Sequence, residues 1–233
     1  MTEFLQKGLA ALNLPTASAP LLARYEALLL EQNRHMNLTA ITDPVQAAQL
    51  HLLDSAALLN CADFAGKRVL DVGTGAGFPG MVLKLVQPDM ELTLMDSLQK
   101  RMDWLRGIAP ELGLGDVTIL HGRAEAFGQE PPYREQFDIV TSRAVAELRV
   151  LCELCLPFVK PGGVFLAMKG QRAGEEKEQA ARCVSILGGR LGKDQVYTIP
   201  GTDREHRVVT VYKERPSPAQ YPRRFAKIKK APL

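Results

Sequence analysis

The strongest chemical signal in the chain is Asp71-Val72-Gly73-Thr74-Gly75-Ala76-Gly77-Phe78-Pro79-Gly80. A short apolar run, Arg68–Val72, leads into three glycines spaced two apart, and a helical pattern opens just beyond. Glycines so placed let the backbone turn tightly and approach a ligand closely, while the helix N-terminus offers free N–H groups. Dinucleotide folds use a similar G-x-G-x-x-G, but Phe78 stands where their third glycine falls, and no Gly-Lys-Ser/Thr of a P-loop follows. Asp71 separates the candidate ligands. A carboxylate beside the loop opposes a pyrophosphate, like charge against like charge, and suits a ligand carrying an ammonium and a sulfonium, which is S-adenosylmethionine.

Further residues follow at strand ends. Asp96 closes Leu92–Asp96, where a carboxylate accepts both hydroxyls of a cofactor ribose or caps the helix behind it. Ala124 and Glu125 follow the third strand-like run, at the edge expected for an adenine, although Glu125 taken alone reads as a surface charge. Arg143 in Ser142-Arg143-Ala144 follows the fourth, where transferase sheets present the methyl acceptor. His51 and Asp54 are three residues apart on one helical face, placed either to orient each other or to act. With Asn37 and Lys169 they complete the candidates for holding a substrate. No residue is assigned as a catalytic acid or base.

These residues need a frame. The first 62 residues read as a helical cap: Leu21, Leu22, Tyr25, Leu28 and Leu29 share one face, and Asp43-Pro44 starts a second helix. From Lys67 strands alternate with helices: Arg68–Val72, Glu91–Met95, Val117–Leu120, Phe137–Thr141 and Val164–Met168, with helices at Met81–Val86, Leu98–Leu112, Ala144–Leu156 and Glu175–Leu187. Such alternation implies a mostly parallel α/β sheet. Pro161-Gly162-Gly163 reads as a turn before the fifth strand. Gln195–Ile199 and Arg207–Lys213 are joined too briefly for a crossover helix and are expected to pair antiparallel at the edge. Residues 1–214 are thus one domain, cap first and a cofactor-binding core over 63–214.

Composition agrees with one elaborated globular domain. Of 233 residues, 46% are hydrophobic and 24% charged, and no apolar run approaches the roughly 18 residues that mark a membrane helix. Charge is segregated. Residues 215–233 carry Arg215, Arg223, Arg224, Lys227, Lys229 and Lys230 and no acid; with +3 overall, the preceding 214 residues sum to −3. A basic tail on a mildly acidic body either meets a polyanion or is simply solvated. Its four prolines suggest irregular structure. Cys152 and Cys155 form one C-x-x-C within a helical pattern and read as core residues, with no second pair to bind zinc. No metal site is expected. Leu9–Leu14 followed by Ala17-Ser18-Ala19 is a poor signal peptide, interrupted by Asn13 and Pro15, so a cytoplasmic, reduced chain is the expectation.

Six segments occur in order: Asn37–Ile41, His51–Ser55, Asp71–Gly80, Asp96-Ser97-x-x-Lys100-Arg101, Ser142-Arg143-Ala144 and Lys169-Gly170. Together they resemble the RsmG (GidB) family of bacterial methyltransferases over nearly the whole chain. The resemblance implies a Rossmann-like class I fold, with a seven-stranded sheet whose last strand is antiparallel. It also implies S-adenosylmethionine as cofactor and transfer of methyl to N7 of a guanine at position 527 of 16S rRNA, in the small ribosomal subunit. No obligate protein partner is implied, and a monomer is expected. Family cofactor contacts fall on Gly73, Phe78, Ala124, Glu125 and Arg143. Asp71, Gly75, Gly77 and Asp96 join them on the loop and charge arguments. RNA contacts are assigned to Arg223, Arg224, Lys227, Lys229 and Lys230. Two departures stand out: Gln32 replaces a frequent tryptophan, and Phe225-Ala226-Lys227 replaces a frequent glycine and proline. A methyltransferase acting on a small molecule or protein, and a non-catalytic RNA-binding assembly factor, are the competing classes. The Arg/Lys tail argues against the first, which activity on ribosomal subunits left intact by tail deletion would revive; the intact glycines, Asp71 and Asp96 argue against the second, which failure to bind S-adenosylmethionine would favour.

Overall fold

The computed structural model describes residues 1–143, 146–170 and 173–233. Leu5 and Leu9 form the buried stripe of α1 (Thr2–Ala11), and Leu22, Tyr25 and Leu29 that of α2 (Ala19–Asn33); of the face expected there, Leu28 is half-buried and Leu21 is exposed at the stripe's outer edge. Asp43 accepts a hydrogen bond from the Gln46 N–H at 2.8 Å, and Pro44 opens α3 (Pro44–Ala47). The helix then widens into a π-helical stretch, Ala48–Leu53. It returns to α at Asp54–Ala56 (α4) and tightens to a 3-10 turn at Ala57–Cys61. A π stretch rotates the side chains around it, so His51 and Asp54 do not form the regular i, i+3 pair that their spacing suggested.

Among the described residues eight strands make one sheet: β1 (Arg68–Val72), β2 (Glu91–Asp96), β3 (Thr118–His121), β4 (Phe137–Arg143), β5 (Val159–Lys169), β6 (Gly189–Leu191), β7 (Gln195–Thr198) and β8 (Glu205–Lys213). The path runs β3-β2-β1-β4-β5-β8-β6, seven positions, and β7 is an eighth strand that also pairs β8. β1 to β5 are parallel and β8 runs antiparallel to β5. The expected edge hairpin is there, with Gln195 opposite Val208 and Thr198 opposite Glu205. Pro161-Gly162-Gly163 lies inside β5 rather than before it: Phe137 pairs Val159 but Ile139 pairs Val164, so the expected turn is an irregularity within a longer strand.

Helices α5 (Gly80–Val86), α6 (Gln99–Ile108), α7 (Ala124–Phe127), α8 (Leu148–Cys155) and α9 (Ala173–Ile186) connect the strands. One core joins the N-terminal helices, α5 and α6 to one sheet face; a second joins α8 and α9 to the other, with Cys152 and Cys155 fully buried in it. Among the described residues no helix is long and apolar enough to cross a membrane.

The tail is not irregular throughout. Phe225–Lys230 forms α10, with Ile228 fully buried in the second core and Lys227, Lys229 and Lys230 exposed. An apolar pair three residues apart, Phe225 and Ile228, is enough to seat one helical turn and a half once a surface is supplied.

Candidate active site

The strand order reverses between β1 and β4, and ligands of open α/β sheets bind at such a point, outside the carboxyl ends of the strands. A cavity of about 500 Å³ opens there. Its walls include Gly73, Gly75 and Phe78 after β1, Asp96 at the end of β2, Ala124 and Glu125 after β3, and Arg143 at the end of β4.

The glycine loop is held from both sides. The Gly73 N–H donates to the Met95 carbonyl at 2.8 Å, and the Gly75 N–H donates to Asp96 Oδ2 at 2.9 Å. Asp96 Oδ1 accepts from the Leu98 N–H at 2.9 Å, so one carboxylate ties the β1 loop to the start of the β2 loop. Asp96 is not the cap of α6, whose N-cap position is Leu98 without a side-chain cap; its carboxylate closes the turn before that helix. Behind the loop, the fully buried Tyr25 of α2 donates its hydroxyl to the Ala76 carbonyl and packs on Phe78, ring centroids 5.3 Å apart. The helical cap therefore braces the cofactor-type loop.

Two residues of the motif do other work. Asp71 is fully buried and does not line the cavity; it accepts from the Gly80 N–H at 3.0 Å and the Thr141 hydroxyl at 3.0 Å. Asp71 therefore does not set its charge directly against a ligand in the cavity, contrary to the expectation from its strand-end position; it ties the loop's far end to β4. Burial raises its pKa to about 6 against the pull of these hydrogen bonds. Gly77 also faces away from the cavity, toward Tyr25, Met81 and Leu105.

The other wall is a polar network from four parts of the chain. Arg143 lies over the Phe78 ring, 4.9 Å from its centroid, and donates to the Leu50 carbonyl at 3.1 Å, Asp54 Oδ2 at 3.4 Å and His51 Nδ1 at 3.3 Å. The His51 ring stacks on Phe78 at 4.8 Å. Arginine only donates, so Nδ1 of His51 accepts and Nε2 carries the proton, donated to Thr39 Oγ1 at 2.7 Å. Burial, reinforced by Arg143, lowers the His51 pKa to about 4 and keeps the ring neutral. Buried Asp54 accepts from Tyr197 at 2.6 Å and from His206 Nδ1 at 2.8 Å. Arg143 thus bridges His51 and Asp54, which do not bond to each other directly. Tyr197 and His206 carry no motif; only the β7–β8 hairpin brings them here.

Three expected substrate contacts are revised. Asn37 is exposed and lines nothing; Asn33 holds its loop, accepting from Leu38 and Thr39 N–H groups at 2.8 and 2.9 Å and donating to the Thr39 carbonyl at 3.0 Å. Lys169 is buried against the Ala146 carbonyl (2.6 Å) and Glu176 (2.7 Å), away from the cavity. Arg223 clasps the fully buried Glu153 with Nε at 2.7 Å and Nη2 at 2.5 Å, and Nη2 also donates to the Ala231 carbonyl at 3.1 Å, so most of its donors are spent inside the protein. Ala144 lies outside the described residues. Arg101 and Arg123 line the cavity and were not singled out; Arg101 stands 3.8 Å from Asp96 and closes a motif already noted. Among the described residues no group of three His, Cys, Asp or Glu side chains is arranged to hold a metal.

The family described as GidB, rRNA small subunit methyltransferase G, matches residues 18–204. The chain belongs to this family. The ribosomal RNA small subunit methyltransferase G of Symbiobacterium thermophilum is 46% identical over 241 residues, covering 98% of this chain and 96% of that protein. That of Alkaliphilus metalliredigens is 43% identical over 213 residues, 91% and 89% of the two chains. Solved structures agree on the fold: a SAM-dependent methyltransferase from Aquifex aeolicus has a TM-score of 0.54 at 20% identity, covering 72% of this chain and 93% of that one. TrmN from Thermus thermophilus has a TM-score of 0.53 at 23% identity over 69% and 48%. As a member of the methyltransferase G family, the chain is an rRNA methyltransferase on a Rossmann-like fold.

Proposed function

We propose that this chain transfers methyl from S-adenosylmethionine to N7 of guanine 527 of 16S rRNA in the small ribosomal subunit, in the cytoplasm. The observation that carries this reading is the cavity at the switch point, with the carboxylates Asp96 and Glu125 in its lining and the Arg143–His51–Thr39 wall on β4's side. The residues fit the cofactor. A volume of about 500 Å³ is that of a small-molecule site, and each Asp96 oxygen keeps a lone pair beyond its backbone bond for a ribose hydroxyl. When bound, the cofactor supplies an electrophilic methyl group.

The chain's own residues have little proton chemistry to do. N7 of guanine carries an in-plane lone pair and no proton, so no side chain need act as general base. The task is to hold the base in line with the methyl group, and positioning of that kind supplies on the order of 7–11 kcal/mol at best. Phe78, clamped by Tyr25, His51 and Arg143, is a rigid apolar face for that purpose. Arg143 and Arg101 hold guanidinium groups at the cavity, and Arg224, Lys227, Lys229 and Lys230 are exposed cations for the RNA backbone. The test is methyl transfer from labelled S-adenosylmethionine to small subunits lacking the modification, with the product mapped. A single N7-methylguanine at the named position is expected; label elsewhere, or none, refutes the substrate assignment.

A further inference from the structure

The C-terminal segment is bound to the body far more firmly than a phosphate-seeking tail requires. Arg134 donates to the Ser217 carbonyl at 2.8 Å and the Tyr221 carbonyl at 2.7 Å, and Gln129 donates to the Pro222 carbonyl at 3.0 Å. Glu153, fully buried in α8, receives both edges of Arg223 and also its backbone N–H at 3.0 Å. Ile228, immediately before the paired lysines Lys229 and Lys230, is fully buried. These contacts fix the residue between the two anchors. Phe225 reaches the cavity and forms part of its lining with Leu154 and Ala124, all three packed on or in the second core. Its neighbours Arg224, Lys227, Lys229 and Lys230 face outward.

We propose that Phe225 is a cofactor-binding residue, supplied to the cavity by the C-terminal segment to pack against the adenine ring. This inference rests on the reading of the cavity as an S-adenosylmethionine site. The chemistry is that of a flat, poorly hydrated heterocycle against an apolar aromatic ring, beside the start of α7 at Ala124 and Glu125, which follows β3. One short helix then serves both reactants, its aromatic residue turned inward and its cations outward.

The experiment is calorimetric titration of the full chain with S-adenosylhomocysteine, for wild type, Phe225→Leu and Phe225→Ala, with melting curves for each. Phe225→Leu preserves apolar packing on the second core and removes the ring face. Loss of an aromatic–base contact is expected to weaken binding about tenfold in Phe225→Ala, with Phe225→Leu intermediate. Wild-type affinity, within twofold, in a folded Phe225→Leu and Phe225→Ala overturns the inference while leaving the cofactor reading intact. A wild-type chain that takes up no S-adenosylhomocysteine overturns both.

Discussion

Replacing Gly77 by alanine is expected to damage stability, whereas the same change at Gly75, two residues away, is expected to damage ligand binding. Gly77 has φ +95°, a conformation that costs an L side chain about 1–2 kcal/mol. Its new methyl group would also stand 2.4 Å from Tyr25 Oη and 2.7 Å from Met81 Cγ, inside any tolerable contact. Tyr25 is fully buried and donates to the Ala76 carbonyl, so moving it strands a buried hydroxyl, worth about 1–3 kcal/mol. The total of about 2–5 kcal/mol is a large share of the ~5–15 kcal/mol that holds a domain together. For a chain of this size it lowers Tm by roughly 10 °C. Gly75 has φ +59°, and its added methyl would meet only Arg101 Nη1, at 3.8 Å. That substitution carries the strain alone, about 1 kcal/mol, but places a methyl group on the cavity wall. Urea denaturation and titration with S-adenosylhomocysteine separate the two effects. Gly77→Ala losing less than about 1 kcal/mol, or Gly75→Ala proving the less stable of the two, refutes the division of labour within the loop.

His51, held near pKa 4 by burial and Arg143, binds fewer protons folded than unfolded between about pH 6.5 and 4, so its contribution to stability falls as pH drops through that window. Asp71, raised to about 6 by burial, acts in the opposite sense between about pH 4 and 6. Wild type should therefore lose stability relative to His51→Gln on acidification from pH 7 to 4.5, and a gap independent of pH would show that His51 is not depressed. Arg223→Ala leaves Glu153 buried without its cation and is expected to cost about 3 kcal/mol in urea denaturation, the low end for a buried pair because Arg223 itself is 16% exposed; a loss below about 1 kcal/mol would mean the clasp is dispensable. Replacing Lys227, Lys229 and Lys230 together should flatten the log–log salt dependence of RNA binding by about 2, and an unchanged slope would remove α10 from the RNA surface.

Much of the site was legible because it is local. The run Asp71–Gly80 encodes its own strand, turn and helix start, since glycine spacing and apolar runs act on the backbone within a few residues. Asp96, Ala124, Glu125 and Arg143 were found by the same logic: a residue at the end of a parallel strand is at the ligand-facing edge whatever lies far away. The errors share a cause as well. Asp71, Gly77 and Lys169 were placed by strand position or motif, but which side of a strand end or loop a side chain takes depends on what packs behind it. Thr141 and Gly80 claim Asp71, Tyr25 claims the space at Gly77, and Glu176 claims Lys169.

The sequence alone therefore determined the fold class, the glycine loop, the strand-end residues and the segregation of positive charge into the last nineteen residues. The tertiary structure alone decided the rest. Asp54 meets His206 across 152 residues and Tyr197 across 143, Arg143 meets His51 across 92, and Arg223 meets Glu153 across 70. Local spacing sets backbone conformation, whereas such pairs exist only where the sheet order and the cap bring distant elements together. A buried carboxylate such as Asp54 or Glu153 must then take whichever donors arrive there, because leaving its charge unpaired costs more than any local preference supplies.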